Sequence, residues 1–395
     1  MLSWFSISTT YALGSRNARR SDYPTGALRT ELCSDERAFG RLAEDWGRLY
    51  RRCGAATPFQ SHAWLHSWWL SYGAPGRLRL VLVHDGDDLV AAAPLMLVRQ
   101  PWPALVPLGG PISDFGDVLI EDGERADRAA AALAEGLATA ARTALIDFRE
   151  VRPGGAVERV YASWRGPRRR VRDSLCLELP GASMDDLIGR LATAKAQQRV
   201  RAKLRKLTSL GVERRAVRPD EVGAALHRLL ELHRLQWQGR KVTTEHLQER
   251  FAEHLVRSVG PMVDAGDAVV TEFRLGDTVM AVDLTLLSRQ LAGGYLYGAH
   301  PQLRERKADV ATMLLHACAQ HTEAGGRRVL SLLRGNEPYK HHWRPQPVVN
   351  QRFLLARRRT APLMSAAVCD VAARSRGKEL LDRFHGWRER GGGRP

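Results

Sequence analysis

The sequence predicts an α/β protein built from two successive copies of one unit, each a mixed β-sheet flanked by helices. Three observations predict it. Strand-patterned runs alternate with helix-patterned runs along most of the chain. Two turns, His84-Asp85-Gly86-Asp87-Asp88 and Leu275-Gly276-Asp277, each separate two β-patterned runs, a hairpin signal because glycine tolerates a positive φ. The surroundings of the two turns also agree in order, with helices before the hairpin and a strand, a helix and a strand after it.

In the first half the pattern predicts helices over 35–53 and 61–72, strands over 78–84 and 89–98, further short strands, a helix over 125–142 and a strand over 143–149. In the second half it predicts helices over 184–210, 219–237 and 245–259, and strands over 268–274, 278–287 and 291–298. A helix over 309–324 and a strand over 327–333 complete it. Packing faces are visible at three- and four-residue steps, as in Leu226, Leu229, Leu230, His233 and Trp237, and in Leu247, Phe251 and Leu255. Lys195, Arg199, Arg201, Lys203, Arg205 and Lys206 surround a narrow stripe of Val200, Leu204 and Leu207, which makes an amphipathic, strongly basic helix. The expected division is a flexible arm over 1–28, lobes over 29–180 and 181–356, and a basic, partly disordered tail over 357–395.

A chain of 395 residues with 44% hydrophobic and 26% charged residues can bury two ordinary cores and is not a disordered polymer. No apolar run approaches the roughly 18 residues that span a bilayer, and the first residues lack the pattern of a secretory signal. The five cysteines are scattered, with no C-x-x-C pair, so neither a disulfide framework nor a zinc site is expected. The expected location is the cytoplasm. The net charge of +17 suits a phosphorylated cofactor, a sugar nucleotide, RNA or an anionic membrane surface. It is spread through an Arg-rich chain, and no DNA partner is expected.

The chemistry-bearing stretch runs from Leu291 to Arg344. Tyr295 and Tyr297 lie on a strand; Arg304, Arg306 and Lys307 follow in a polar segment that leads into a helix. Strand, loop and helix in that order form an anion site, because the first amides of a helix lack internal partners and its dipole is positive there. The next strand ends in Arg334-Gly335-Asn336-Glu337-Pro338-Tyr339-Lys340, where Glu337 has the chemistry of a general base and Tyr339 or Lys340 that of an acceptor-positioning group. Asp283 interrupts an apolar strand and needs either a partner or a polar cleft. In the first half, Gly109-Gly110-Pro111-Ile112-Ser113-Asp114-Phe115-Gly116-Asp117 is a Gly-rich loop able to line a cleft, without the Gly-Lys-Ser/Thr of a phosphate loop. Trp64 and Trp68, one helical turn apart, are expected in the core. His341 and His342 lack a third ligand at metal spacing, so no metal is expected, and no Gly-x-Ser-x-Gly elbow marks a serine hydrolase.

Thr57-Pro58-Phe59-Gln60-Ser61 with Trp64 and Trp68-Trp69, and Ser113-Asp114-Phe115-Gly116-Asp117, resemble the CelD/BcsL-like family of acetyltransferases associated with cellulose and exopolysaccharide biosynthesis. The basic helix 195–206, Leu232-His233-Arg234-Leu235-Gln236-Trp237, the Gly276-Asp277 hairpin and Gly335-x-Glu337-x-Tyr339-Lys340-x-x-Trp343 continue the resemblance from about Ala38 to Phe353. It implies two tandem GNAT-like lobes, as in the FemAB-like peptidyl transferases. It also implies transfer of an acyl group, from acetyl-CoA or another acyl-CoA, to an amine or hydroxyl of a saccharide or other small acceptor. Carried over by motif, Tyr297 or Tyr295 protonates the leaving thiolate, Glu337 or Asp283 takes the acceptor's proton, and Arg304, Arg306 and Lys307 face the cofactor phosphates. The acceptor is then expected against Arg334, Tyr339, Lys340, Tyr295, Trp237 and Asp114. Two positions depart from the family pattern: Lys307-Ala308-Asp309 stands where a small pair opens the cofactor helix, and Ser331 stands where an acidic residue is common. The competing expectations are an aminoacyl-tRNA-dependent FemAB-like transferase, and a degenerate GNAT-fold partner of a polysaccharide-synthesis complex that touches it or a membrane surface through the basic helix and tail.

Overall fold

The computed structural model describes residues 27–236 and 243–370. The arm up to residue 26, Trp237 and the tail beyond residue 370 lie outside the described residues.

The first half contains β1 (Leu28–Cys33), α1 (Glu36–Arg41), α2 (Ala43–Arg52), α3 (His62–Tyr72), β2 (Leu78–Asp85), β3 (Asp88–Val98), β4 (Ala104–Pro107) and β5 (Leu119–Ile120). It continues with α4 (Ala126–Ala140), β6 (Leu145–Val151), α5 (Val157–Ser163) and β7 (Arg168–Pro180). The second half contains α6 (Met184–Gly189), α7 (Ala194–Ser209), β8 (Val212–Ala216), α8 (Val222–Gln236), α9 (Glu249–Asp264), β9 (Ala268–Leu275), β10 (Thr278–Leu287) and β11 (Leu291–Ala299). It ends with α10 (Pro301–Glu305), α11 (Val310–Ala324), β12 (Val329–Arg334), α12 (Pro338–His341) and β13 (Gln346–Leu355).

The expected repeat extends to the residue. The hairpin glycines Gly86 and Gly276 both have positive φ, +59° and +56°, and the offset that superposes them also superposes a bulge. Val90 is skipped between the pairs Val83–Ala91 and His84–Leu89. Met280 is skipped between Phe273–Ala281 and Arg274–Val279. Each half then places a parallel strand pair after its hairpin, β4 with β6 and β11 with β12.

Among the described residues the strands form one mixed sheet in the order β1-β2-β3-β4-β6-β13-β7-β12-β11-β10-β9-β8, with β5 paired to β3 off this path. The order is symmetric about the β13–β7 pair, and the two halves exchange their last strands. β7, from the first half, pairs with β12; β13, from the second, pairs with β6. Arg352 on β13 fixes the exchange with a buried two-pronged bond to Asp147 on β6, 2.7 Å on each side. The halves also meet through α3 and α9, where the Trp64 ring stands edge-on to His254 at 4.5 Å and Ser67 Oγ donates to the His254 carbonyl at 3.0 Å.

Several elements differ from the sequence reading. The helix expected over 35–53 breaks at Leu42. The one expected over 184–210 is two helices, because Thr193 takes an extended conformation and caps α7, its hydroxyl accepting from Ala196 N at 3.1 Å. The exchanged strands β7 and β13 were not anticipated. β7 begins with Arg168-Arg169-Arg170-Val171-Arg172, which reads as a solvated charge run, yet Arg168 and Arg170 lie over the rings of Tyr161 and Phe353.

The residues expected in the core are there: Trp64 is fully buried and Trp68 5% exposed. α8 crosses β11 so closely that a Cβ on Gly298 would stand 2.3 Å from the Leu229 carbonyl oxygen. That close approach determines where the end of α8 meets the site.

Candidate active site in the second half

β11 and β12 are parallel but pair over three residues only, Leu291 with Val329, Ala292 with Leu330 and Gly293 with Ser331. Beyond these pairs the two strands separate. A bulge on β11 shapes the opening. Leu284 faces Leu296 and Thr285 faces Gly294, so Tyr295 is an extra residue with no opposite number. The bulge sends Tyr295 away and leaves Gly294 and Tyr297 on the face that carries Asp283 and Thr285. A cleft of about 120 Å³ opens there. Its floor is Asp283, Gly294 and Tyr297. One wall is the α11 face of Ala311, Leu314, Leu315 and Cys318, the other is Leu330-Ser331-Leu332 of β12, and Tyr339, Lys340 and Trp343 stand at the rim.

Asp283 is 2% exposed. Thr285 Oγ1 donates to its Oδ2 at 2.7 Å, and no cation pairs with it among the described residues. Burial without a counter-charge pushes its pKa from 3.8 up to about 7, the Thr285 bond opposing weakly. Its other oxygen, Oδ1, lies 3.9 Å from where a Cβ on Gly294 would stand, so the absent side chain of Gly294 leaves that oxygen facing the cleft. A carboxylate tuned to neutral pH, buried and with one free oxygen has the properties of a general base.

Tyr297 is held from the far side of the strand. Gln236, the last residue of α8, accepts from Ala299 N through Oε1 at 3.0 Å, which fixes its amide, so that Nε2 donates to Tyr297 Oη at 3.0 Å. A phenol that accepts this bond keeps its own proton free to donate. Gln236→Leu is expected to lower kcat about tenfold with little change in KM, the effect of losing one orienting hydrogen bond. Gln236→Glu should be worse, because a carboxylate would draw the phenol proton away from the cleft. Steady-state kinetics of both variants test this.

The other sequence candidates take different places. Glu337 is half exposed and bound to Lys340 Nζ at 2.8 Å. That ammonium also donates to the Arg334 carbonyl at 2.9 Å, so Lys340 reaches the cleft as a brace. Tyr339 is 59% exposed at the rim. Arg334 and Asp114 are not in the cleft. Arg334 Nε bonds Asp114 Oδ1 at 2.8 Å, Nη1 bonds Glu150 Oε1 at 3.1 Å and Nη2 bonds the Pro111 carbonyl at 2.7 Å, which ties the two halves together. Tyr295 packs against Trp64 and Phe59 and donates to the Ile112 carbonyl at 2.8 Å. Arg304, Arg306 and Lys307 are exposed on α10 and the turn before α11 and do not line the cleft. Asp309 caps α11, accepting from Thr312 N at 2.9 Å, and pairs with Lys203 Nζ at 2.8 Å. The carboxylate therefore occupies the anion-binding end of the helix itself. Thr285 could have been found from Asp283, being the next residue on the same strand face. The Gln236 contact depends on the α8–β11 crossing and has no local sequence signal.

The first half has no counterpart of Asp283 at the equivalent position. The offset that places Gly276 on Gly86 places Asp283 on Ala93, inside the fully buried run Val90–Ala93. No three His, Cys, Asp or Glu side chains converge on a metal-sized site among the described residues.

The chain is similar in fold to three solved structures at low sequence identity. FemX has a TM-score of 0.57 at 11% identity, over 82% of this chain and 98% of that one. A protein of unknown function from Bacteroides thetaiotaomicron has a TM-score of 0.53 at 12%, over 82% and 99%. L-PGS from Bacillus licheniformis has a TM-score of 0.51 at 13%, over 85% and 96%. No curated protein matches the chain. Residues 194–341, which hold the whole cleft apart from Trp343, match the family model described as an acetyltransferase (GNAT) domain. The likeness to GNAT-type acetyltransferase domains falls on the second half of the chain.

Proposed function

We propose that the chain is an acyltransferase that moves an acyl group, acetyl in the simplest case, from a thioester such as acyl-CoA to an amine or hydroxyl of a saccharide or other small acceptor. The observation that carries this reading is Asp283, a buried carboxylate with one oxygen facing the cleft beside a phenol whose proton is free. The acceptor nitrogen or oxygen attacks the thioester carbonyl, and its proton passes to Asp283. The tetrahedral intermediate collapses, the C–S bond breaks, and Tyr297 protonates the departing thiolate. Asp283 fits the base role better than Glu337, whose carboxylate is held outside by Lys340. The apolar walls exclude water, which limits hydrolysis of the thioester. Work on an exopolysaccharide or cellulose precursor is the acceptor assignment that the CelD/BcsL-like motifs support.

Calorimetry with acetyl-CoA and longer acyl-CoAs, beside an Arg304/Arg306/Lys307 triple-Ala variant, tests the donor side. Binding by the unsubstituted chain and a loss of about tenfold or more in the variant are expected, since each exposed cation near a phosphate contributes a fraction of a kcal/mol to about one. No turnover with any thioester would sink the reading. A second reading, an aminoacyl-tRNA-dependent FemAB-like transferase, is favoured by one observation: Asp309 caps α11 where a diphosphate would sit. It predicts copurifying tRNA and salt-sensitive RNA binding.

A further inference from the structure

α7 has no acidic residue along its 16 positions, a length of about 24 Å. Lys195, Arg199, Arg201, Arg205 and Lys206 are exposed and have no ion pair among the described residues. Val200 is fully buried and Leu207 is 7% exposed, and half-buried Leu204 turns into a groove beside the helix, so no continuous apolar stripe is left to face a bilayer.

The cations form two rows. Lys195, Arg199, Lys203 and Lys206 follow steps of four and three and so share one flank. That flank ends at the cleft side, because Lys203 binds Asp309 at the start of α11. Arg201 and Arg205 share the other flank with Thr208. Thr208 lines a groove of about 300 Å³ between α7, the β8–β9 edge and α11, with Leu204, Val212, Phe273, Met313 and His316.

We propose that the acyl donor reaches the cleft on the phosphopantetheine arm of an acidic carrier protein that docks on α7. The proposal rests on the thioester reading above and names its donor. Free CoA concentrates its charge in a diphosphate and one further phosphate, and the natural place for the diphosphate, the amino end of α11, is held by Asp309. A carrier arm brings one phosphodiester, and the remaining negative charge is spread over the carrier's surface. That distribution matches cations spread along about 17 Å of helix. The mixed groove decides between protein and RNA. A phosphate backbone would use the arginines but leaves the half-buried Leu204 and Val212 uncovered, whereas an acidic amphipathic helix supplies both charge and an apolar anchor. The chemistry is unchanged: acyl–S–arm and acceptor amine or hydroxyl give acyl-acceptor and HS–arm, with Asp283 gaining one proton and Tyr297 giving one.

The test compares the full chain acting on an acyl-CoA and on the same acyl group loaded on an acidic acyl-carrier protein, across a salt series. The carrier-bound donor is expected to have a kcat/KM at least about tenfold higher at low salt, falling steeply as salt rises. Arg199→Glu with Lys206→Glu, and separately Arg201→Glu with Arg205→Glu, should each erase that advantage and leave acyl-CoA turnover unchanged, which also reports that the variants fold. Equal use of both donors, or loss of both in the variants with the salt series flat, overturns the docking surface and leaves the thioester reading standing. Turnover of neither thioester, with transfer from aminoacyl-tRNA alone, overturns both.

Discussion

Asp283→Asn is expected to remove most turnover and at the same time to make the folded chain more stable at pH 8. The first half of the result follows from position. The carboxylate faces the cleft through one oxygen and is half-ionised near neutral pH, so replacing it with an amide that cannot take a proton should lower kcat by about 10²–10⁴, the usual contribution of a positioned general base. The unsubstituted chain should show kcat/KM rising with pH through about 7, since burial raises the Asp283 pKa to about 7 and a general base acts in its deprotonated form. The second half follows from linkage. The folded pKa lies above the unfolded one, so between about pH 4 and 7 the folded chain holds a proton that the unfolded chain has lost. Stability therefore falls as pH rises through that window and is lowest above it, by at most about 4 kcal/mol for a shift of this size. Asparagine carries no such cost, and its carbonyl can still accept the Thr285 hydroxyl. The gain in Tm should be largest at pH 8 and disappear below pH 4. A variant with near-normal kcat would remove Asp283 from the mechanism. A lower Tm at pH 8 would mean the ionised carboxylate has a favourable partner.

This pairing of lost activity with gained stability explains why Asp283 stood out in the sequence. A carboxylate within Val279–Leu287 breaks the strand's own pattern, and such a break persists where function needs it. The hairpin glycines, the strand runs and the helix faces were legible for the opposite reason: each follows from local periodicity and turn chemistry. Tyr297, Lys340 and Tyr339 were legible as a neighbourhood, because the strand–helix–strand order brings them to one end of a sheet. Arg334, Asp114 and Tyr295 were not separable from them by sequence. Their polar groups look equally functional, and only the strand bulge and the contact between the halves turn them toward each other. Gln236 needed the crossing at Gly298, and β7 and β13 needed partners more than 150 residues away for their arginines to pair and stack.

The strand exchange has its own consequence, visible in Arg352→Met. Arg352 and Asp147 are each 6% exposed, and their bond is a buried polar contact that seats β13 in the first half's sheet. Removing the guanidinium leaves a carboxylate buried without a partner, which costs about 3–5 kcal/mol. Adding Asp147→Leu should return most of that loss, because an apolar pair of similar volume avoids the desolvation of both ions. Urea unfolding of the two variants measures both values, and the midpoint should fall in the single variant with the slope unchanged. The transition should also stay single. Each half's sheet is completed by a strand from the other, and β7, which flanks β13, also pairs with β12, one wall of the cleft. A weakened β13 therefore loosens the half that holds the cleft as well as the other, and turnover should disappear at the same urea concentration as the fold. Two separate transitions would mean that the halves close their sheets without the exchanged strands, and that the first half is not needed to hold the cleft of the second open.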